Sequence, residues 1–218
     1  MKIIVLYVLL IICIPLNGQI YSSKHTYTFQ YNIKDKNNIQ NNGTILLNCY
    51  GIKSKIDSTQ YLISWSTDQN LQNKFSKKSN PYYTGVIENN SRVWIHPPRS
   101  DLFTILEYSP FPEVRIPLKI GLRWQFKNSM GRFWENKLFD IKSNDILIYK
   151  YVIEDVKHHI CDLESFPIQC YSIKAESVNI KFAQTKFSGL YNDKYGFIDM
   201  EFQNIDGSTI LLKLIKVN

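Results

Sequence analysis

The sequence predicts a mainly β protein: one domain built on a curved antiparallel sheet, either an open barrel or a sandwich, with one short helix near residues 100–108. Runs rich in Val, Ile, Thr, Tyr and Phe recur along the whole chain. Turn-forming residues separate these runs at short spacing, and outside residues 100–107 no segment repeats its apolar residues every 3.6 positions. This pattern is typical of all-β domains rather than of helical or alternating α/β folds.

Twelve segments have the composition of strands. The run at residues 122–127 shows the clearest alternation, with Leu122, Trp124 and Phe126 on the predicted inner face. Pro110, Pro112 and Pro117 make residues 109–117 a loop or a sheet edge, because proline cannot donate to a strand ladder. The predicted strands are residues 26–33, 44–52, 60–65, 82–88, 91–96, 122–127, 132–140, 145–154, 169–177, 181–191, 195–203 and 209–217.

The N-terminus has the pattern of a secretory leader. Lys2 precedes an uncharged apolar run over residues 3–14, and Gly18 supplies a small residue for cleavage. The run is shorter than the roughly 20 apolar residues that span a bilayer. The sequence therefore predicts a signal peptide at 1–18, a single β-rich domain at 19–218, and an exported protein that is periplasmic, outer-membrane associated or secreted. A lipoprotein is the alternative, although Ile12 stands before Cys13 where a lipid-attachment signal needs a small residue.

The charge balance does not indicate a nucleic-acid surface. The formal net charge is +7, but the basic residues are spread over successive predicted strands. A phosphate-binding protein is expected to concentrate positive charge on one face. We therefore expect solvated strand faces and no nucleic-acid partner.

Residues 91–99 bring the most chemically capable groups together. A two-residue loop at Asn89-Asn90 would pair Val86 with Val93 and Gly85 with Trp94, so that the indole covers the glycine. Two prolines then end the strand. Trp94, His96 and Arg99, with Trp124 further on, are the candidate ligand-binding residues. The alternative interpretation is structural, with Trp94 in the core and the two polar residues at a strand end.

The C-terminal hairpin has two possible registers. A two-residue loop would place Asp199 opposite Leu214 and mix charged with apolar residues on both faces. A three-residue loop at 205–207, with Gly207 in the left-handed region, instead pairs apolar residues with one another and Asp199 with Lys213. The sequence predicts the second register. The core face would then carry Ile198, Met200, Phe202, Ile210, Leu212 and Leu214.

Motifs for catalysis or cofactors are lacking in the sequence. It contains no Gly-x-Ser-x-Gly, no phosphate-binding glycine loop and no His-Glu-x-x-His, so we expect neither cofactor nor catalytic residue. Cys161 and Cys170 flank a short loop and could form a disulfide or remain two buried thiols. With His159 they offer three metal ligands, one fewer than a structural zinc site needs, so no metal is expected.

The chain resembles an uncharacterised family of exported, β-rich bacterial envelope proteins over about residues 82–217. The resemblance lies in the segment 93–99, in Pro110-Phe111-Pro112 with Ile116-Pro117-Leu118, in Gly121-x-x-Trp124 and in Tyr195-Gly196-Phe197. In architecture it is similar to periplasmic lipoprotein and lipid carriers. That resemblance implies a non-enzymatic protein that holds an apolar or lipid-like ligand in a curved sheet, with no transmembrane helix after cleavage. The alternative is a surface sandwich that binds glycan on aromatic platforms, indicated by 14 Tyr, 12 Phe and 4 Trp.

Overall fold

The computed structural model describes residues 19–67, 83–99, 101–178 and 183–218. These residues form twelve strands and two 3-10 helices, Asp101–Tyr108 and Arg132–Trp134. The strands are β1 Lys24–Lys34, β2 Gln40–Lys53, β3 Tyr61–Thr67, β4 Tyr83–Asn89, β5 Arg92–Ile95, β6 Glu113–Arg115, β7 Arg123–Ser129, β8 Ile146–His159, β9 Ile168–Ser177, β10 Lys186–Asn192, β11 Gly196–Gln203 and β12 Thr209–Val217.

All twelve strands belong to one antiparallel sheet in the order β6-β5-β4-β3-β2-β1-β12-β11-β10-β9-β8-β7. Strands consecutive in the chain are neighbours within β1–β6 and within β7–β12. The pairing of β1 with β12 joins the two halves, so β6 and β7 are left as the edges. The sheet curls into a half-barrel, as the predicted fold class requires. No helix among the described residues is long and apolar enough to cross a membrane.

The concave side of the half-barrel is filled by side chains. Phe103, Leu106 and Tyr108 of the first 3-10 helix are buried there, and the Phe103 ring meets Tyr31 of β1 edge-on. Tyr21, ahead of β1, is fully buried. Both halves of the sheet contribute to one apolar core, which packs against the 3-10 helix that connects β5 to β6.

The residues just before β1 are held by a single carboxylate. Glu88 on β4 accepts backbone N–H groups from Ile20, Tyr21 and Ser22 at 2.7, 2.9 and 2.7 Å. The Tyr21 hydroxyl in turn accepts the N–H of Phe197 at 2.7 Å. These contacts fix the segment against both halves of the sheet.

Two sequence predictions fail at the local level. Residues 132–140 do not form a strand but a 3-10 turn and a loop, closed by the pairing of Asn136 with Ile141. The β4–β5 hairpin turns at Asn90-Ser91, so that Trp94 lies opposite Ile87 and Val86 opposite Ile95. Gly85 is covered by the side chain of Gln60 rather than by Trp94.

The C-terminal hairpin confirms the predicted register. Phe202 pairs with Ile210, Met200 with Leu212 and Asp199 with Lys213. Asn204 closes the three-residue loop by donating its N–H to Ser208 O at 2.9 Å, and Gly207 has φ +83°. All six predicted core residues are buried, and Leu211 is exposed.

Candidate functional site

The predicted site residues His96 and Arg99 converge on Glu107 of the 3-10 helix. His96 Nε2 lies 3.4 Å from Glu107 Oε1, and Arg99 Nη1 lies 3.9 Å from the same oxygen. His96 and Glu107 are almost completely buried. Burial lowers the pKa of His96 to about 4 and raises the pKa of Glu107 to about 7, because a charge loses its hydration there.

These pKa values define the protonation of the pair near neutral pH. His96 Nδ1 is 2.8 Å from the carbonyl oxygen of Pro97. A carbonyl oxygen only accepts, so Nδ1 carries the proton of the neutral ring and Nε2 is left as an acceptor. A protonated Glu107 can then donate toward Nε2. Below about pH 7 the contact is thus a neutral pair in the core, with the Arg99 guanidinium at its edge.

Trp94 lies beside this pair, in an aromatic cluster: its ring meets that of His96 edge-on, with the two centroids 6.0 Å apart. It is 7% exposed and its ring centroid lies 5.9 Å from Phe111 and 6.3 Å from Phe126. Phe126 belongs to β7, at the opposite end of the sheet order from β5. The indole therefore helps to join the two ends of the half-barrel.

Trp124 joins the same two ends. Its ring stacks on Tyr151 at 5.2 Å and lies near the carboxylate of Glu113 on β6. Glu113 is fully buried, and Arg115 Nη2 lies 2.8 Å from it. We call this group the seam; it consists of Trp94, Phe111, Glu113, Trp124 and Phe126.

Cys161 and Cys170 are buried free thiols in the structure. Burial raises the pKa of Cys170 to about 12, with a further contribution from Cys161, so the thiolate is strongly disfavoured. A disulfide between the two remains a prediction. Within the described ranges no three His, Cys, Asp or Glu side chains are grouped to hold a metal ion.

A surface cavity with a volume of about 560 Å³ lies elsewhere, on the solvent face of β7 to β11. We call it the cationic cleft. Four basic side chains reach it from four neighbouring strands, together with two glutamates. Its lining residues are Arg123, Lys150, Tyr151, Val152, Lys174, Ala175, Glu176, Lys186, Phe187, Ser188, Glu201 and Gln203.

The strand registers place these side chains in two rows across the sheet. One row runs Lys150, Glu176, Lys186 and Gln203 from β8 to β11. The other runs Arg123, Val152, Lys174, Ser188 and Glu201 from β7 to β11. Because neighbouring strands lie about 4.8 Å apart, Lys150 and Lys186 flank Glu176 at a spacing of about 10 Å.

Positive charge predominates in the cleft. Glu176 accepts a hydrogen bond from Gln184 at 3.0 Å, and Lys174 pairs with Glu154 at 2.8 Å. Arg123, Lys150 and Lys186 form no ion pair with any residue in the described part of the chain. The cleft thus holds three cations around the aliphatic side chain of Val152, and Glu176 and Glu201 offset only part of their charge.

A second depression follows one end of the half-barrel. Cavities of about 500 and 420 Å³ both include Tyr171 and Asp193 in their linings, so they form one groove, which we call the end groove. Tyr61, Tyr191 and Tyr195 line it with carboxylates and amides. Aliphatic side chains such as Ile116 and Leu118 also line it, and Lys194 is its one lysine.

Sequence reasoning did not predict the cationic cleft. Its four basic residues are separated by 12 to 27 positions in the chain: Arg123, Lys150, Lys174 and Lys186. The sequence alone predicts that such scattered basic residues lie on solvated strand faces. Only the order and register of five strands bring them together. The sequence does contain one indication of the cleft. Each of the four basic residues occupies an exposed position in a strand whose exposed and buried positions alternate.

The fold and this surface together define a class: a mainly β protein with a curled antiparallel sheet that carries an open cationic cleft. No protein-family model matches the chain. No curated protein matches its sequence.

Three solved structures are similar to this fold. A candidate exported protein with a YmcC-like fold from Bacteroides fragilis has 8% identity and a TM-score of 0.43, with 90% of this chain and 96% of that chain covered. The hypothetical lipoprotein YmcC of Escherichia coli has 9% identity and a TM-score of 0.41, with 92% and 88% covered. A candidate lipoprotein from Parabacteroides distasonis has 7% identity and a TM-score of 0.43, with 91% and 97% covered. Similarity at this level says nothing about ligand or activity.

Proposed function

We propose that this is an exported, non-enzymatic binding protein whose ligand is a lipid-like amphiphile with an anionic group, held in the cationic cleft. Export rests on the leader pattern of residues 1–18, with residues 19–218 as one β-rich domain. The intact mass of the exported chain tests this step, since cleavage after Gly18 leaves Gln19 first.

The observation that carries the proposal is the convergence of Arg123, Lys150 and Lys186 on one cavity, where they outnumber Glu176 and Glu201 and form no ion pair with a described residue. The cavity volume of about 560 Å³ lies in the range of small-molecule sites. Phosphate and carboxylate groups bind such clusters through charge-assisted hydrogen bonds.

An apolar part of the ligand has a place beside these cations. Val152 is half-buried between Arg123 and Lys174 in the second row. Lysine side chains also present aliphatic stems below their charged ends. The concave side of the sheet is a poorer location, because buried side chains of the 3-10 helix and the core occupy it.

Fluorescence titration with a short-chain phosphatidylglycerol probe tests the proposal. The exported chain is expected to bind this probe more tightly than a phosphatidylcholine probe of equal chain length. Lys150→Gln with Lys186→Gln is expected to weaken phosphatidylglycerol binding about tenfold or more, since two charged hydrogen bonds are lost. Glu176→Gln with Glu201→Gln is expected to strengthen it.

The matched control is Lys34→Gln with Lys216→Gln, which removes the same charge from exposed positions on β1 and β12, outside the cleft. Equal weakening by both double variants would mean that only net charge matters. That result, or equal binding of the two probes, would reject the cleft as the binding site.

Glycan binding in the end groove is a second candidate. The aromatic platforms expected from the tryptophans are not exposed, since Trp94 is buried and Trp124 and Trp134 are partly buried. Tyrosines line the end groove instead, beside Asn192, Asp193 and Glu164. Tyr171→Ala should abolish retention on a polysaccharide column and leave probe binding in the cleft unchanged. Retention that survives this substitution would remove the candidate.

A further inference from the structure

The connection between β7 and β8 exposes two large apolar side chains. We call residues 130–145 the β7–β8 arm. Phe133 is 97% exposed and Leu138 is 84% exposed. Apolar side chains exposed to this degree at one protrusion are typical of surfaces that bind a partner or a membrane.

The exposure does not result from a loosely held loop. Met130 and Ile141 of the arm are buried, and Asn136 pairs with Ile141. The Tyr108 hydroxyl donates to the carbonyl oxygen of Trp134 at 3.1 Å. The ring of Tyr108 also contacts Phe139 at 6.1 Å. The arm is thus anchored on the 3-10 helix and directs Phe133 and Leu138 outward.

Each exposed apolar residue directly follows an exposed basic residue. Arg132 precedes Phe133 and Lys137 precedes Leu138. Neither cation forms an ion pair with a residue that the structure describes, so both are available to an external anion.

The acidic residues of the arm are engaged within it. Glu135 accepts the N–H of Ser143 at 3.2 Å, and Asp145 accepts the N–H of Lys142 at 2.8 Å. Asp140 lies 3.8 Å from the Lys142 ammonium. The arm carries as many acidic as basic residues, and Glu135 and Asp140 are exposed as well. The residue directly ahead of each exposed apolar side chain is nevertheless a cation without an ion-pair partner in the described chain.

From this arrangement we propose that the β7–β8 arm docks on the surface of a membrane that contains anionic lipids, with Phe133 and Leu138 inserted among the acyl chains. Arg132 and Lys137 bind lipid phosphates at the level of the head groups. The inference stands apart from the proposed ligand site, because the arm shares no residue with the cationic cleft.

Vesicle co-sedimentation tests this inference. The exported chain is used as purified from the producing cells, after its intact mass has shown that it carries no acyl chain. It is expected to sediment with vesicles of phosphatidylcholine and phosphatidylglycerol, and less with phosphatidylcholine alone. Phe133→Ser with Leu138→Ser should reduce the partition coefficient about a hundredfold, because two apolar side chains that insert into the membrane are lost. Arg132→Gln with Lys137→Gln should abolish the preference for phosphatidylglycerol.

The matched control is Ile160→Ser with Phe166→Ser, which removes two exposed apolar side chains from the β8–β9 connection and should not change sedimentation. Loss of binding in this control to the same degree would reject the arm as the membrane site. Sedimentation velocity tests whether the arm instead binds a second copy of the chain. A dimer of the unmodified chain that the Phe133→Ser, Leu138→Ser variant lacks, with no vesicle binding by either, would show that the arm binds a second copy instead and would overturn the inference.

Discussion

Glu107 is a buried carboxyl group that stays protonated up to about pH 7. Burial raises its pKa from 4.5 to about 7, because a charge loses its hydration there. For a group whose pKa is raised on folding, stability is fully present below the unfolded pKa and is lost as the pH rises through the folded pKa. This group therefore destabilises the fold progressively from about pH 4.5 to pH 7.

Glu107→Gln should remove that loss, because glutamine has the shape of the protonated acid. At pH 8 the variant is expected to be more stable than the unmodified protein by about 3 kcal/mol, from the difference between the two pKa values. At pH 4 the two should be equally stable. Urea denaturation at the two pH values measures both differences. A variant that is less stable than the unmodified protein at pH 8 would contradict the raised pKa of Glu107.

Single residues also explain which registers could be predicted. In the C-terminal hairpin the two candidate registers differ by one residue, so they exchange the faces of the strands, and the apolar pattern decides between them. At β4–β5 the predicted and observed registers differ by two, which leaves every side chain on the same face. The pattern cannot separate these two. Asn89 does so: its side-chain oxygen accepts from Ser91 N and Arg92 N at 2.8 and 3.0 Å.

At the scale of elements, the C-terminal hairpin depends on the backbone of Gly207. Its φ of +83° lies in a region that costs an L-residue about 1–2 kcal/mol. Gly207→Ala is therefore expected to lower the free energy of unfolding by about that amount, as measured by chemical denaturation. Gly131→Ala is the matched control, since Gly131 has φ −77° and its nearest neighbour would lie 4.0 Å from the added Cβ. An equal loss in both variants would show that the left-handed conformation is not the cause.

The segment ahead of β1 depends on Glu88 in the same way. Removal of the carboxylate leaves three backbone N–H groups without their acceptor, and a hydrogen bond to a charged group contributes about 1.5–3 kcal/mol. Glu88→Ala should therefore speed amide exchange at Ile20, Tyr21 and Ser22. It should also lower the free energy of unfolding by at least the contribution of one such hydrogen bond. Glu154→Ala, on the exposed face of β8, is the control. Unchanged protection of the three amides in Glu88→Ala would disprove the anchoring.

At the scale of the whole molecule, the fold class was predictable and the surface was not. Alternation within single strands is enough to predict a curled antiparallel sheet, because the apolar positions of each strand identify its buried face. The cationic cleft requires the order and register of five strands at once, and the seam requires contact between strands at opposite ends of the order. Neither property is local in the sequence. Ligand binding by Trp94 and Trp124 stays a prediction, whereas their contacts in the seam depend on closure of the sheet.

The seam supplies the last prediction, because it tests that closure directly. Trp94 on β5 and Phe126 on β7 lie near opposite ends of the sheet order, yet their rings lie 6.3 Å apart. Trp94→Leu and Phe126→Leu should each destabilise the protein, and the double variant should lose less than the sum. Aromatic pairs in contact typically contribute about 0.5–1.5 kcal/mol of coupling energy in a double-mutant cycle.

The control cycle combines Trp94→Leu with Phe187→Leu, a core residue of β10 that has no ring contact with Trp94 and lies in the main core cluster. That pair should be additive within about 0.5 kcal/mol. Equilibrium denaturation of the five variants and the unmodified protein gives both cycles. If Trp94 and Phe126 are also additive, the two ends of the sheet do not meet through these rings. A coupling confined to Trp94 and Phe126 would establish that side chains close the half-barrel where no backbone ladder joins β6 to β7.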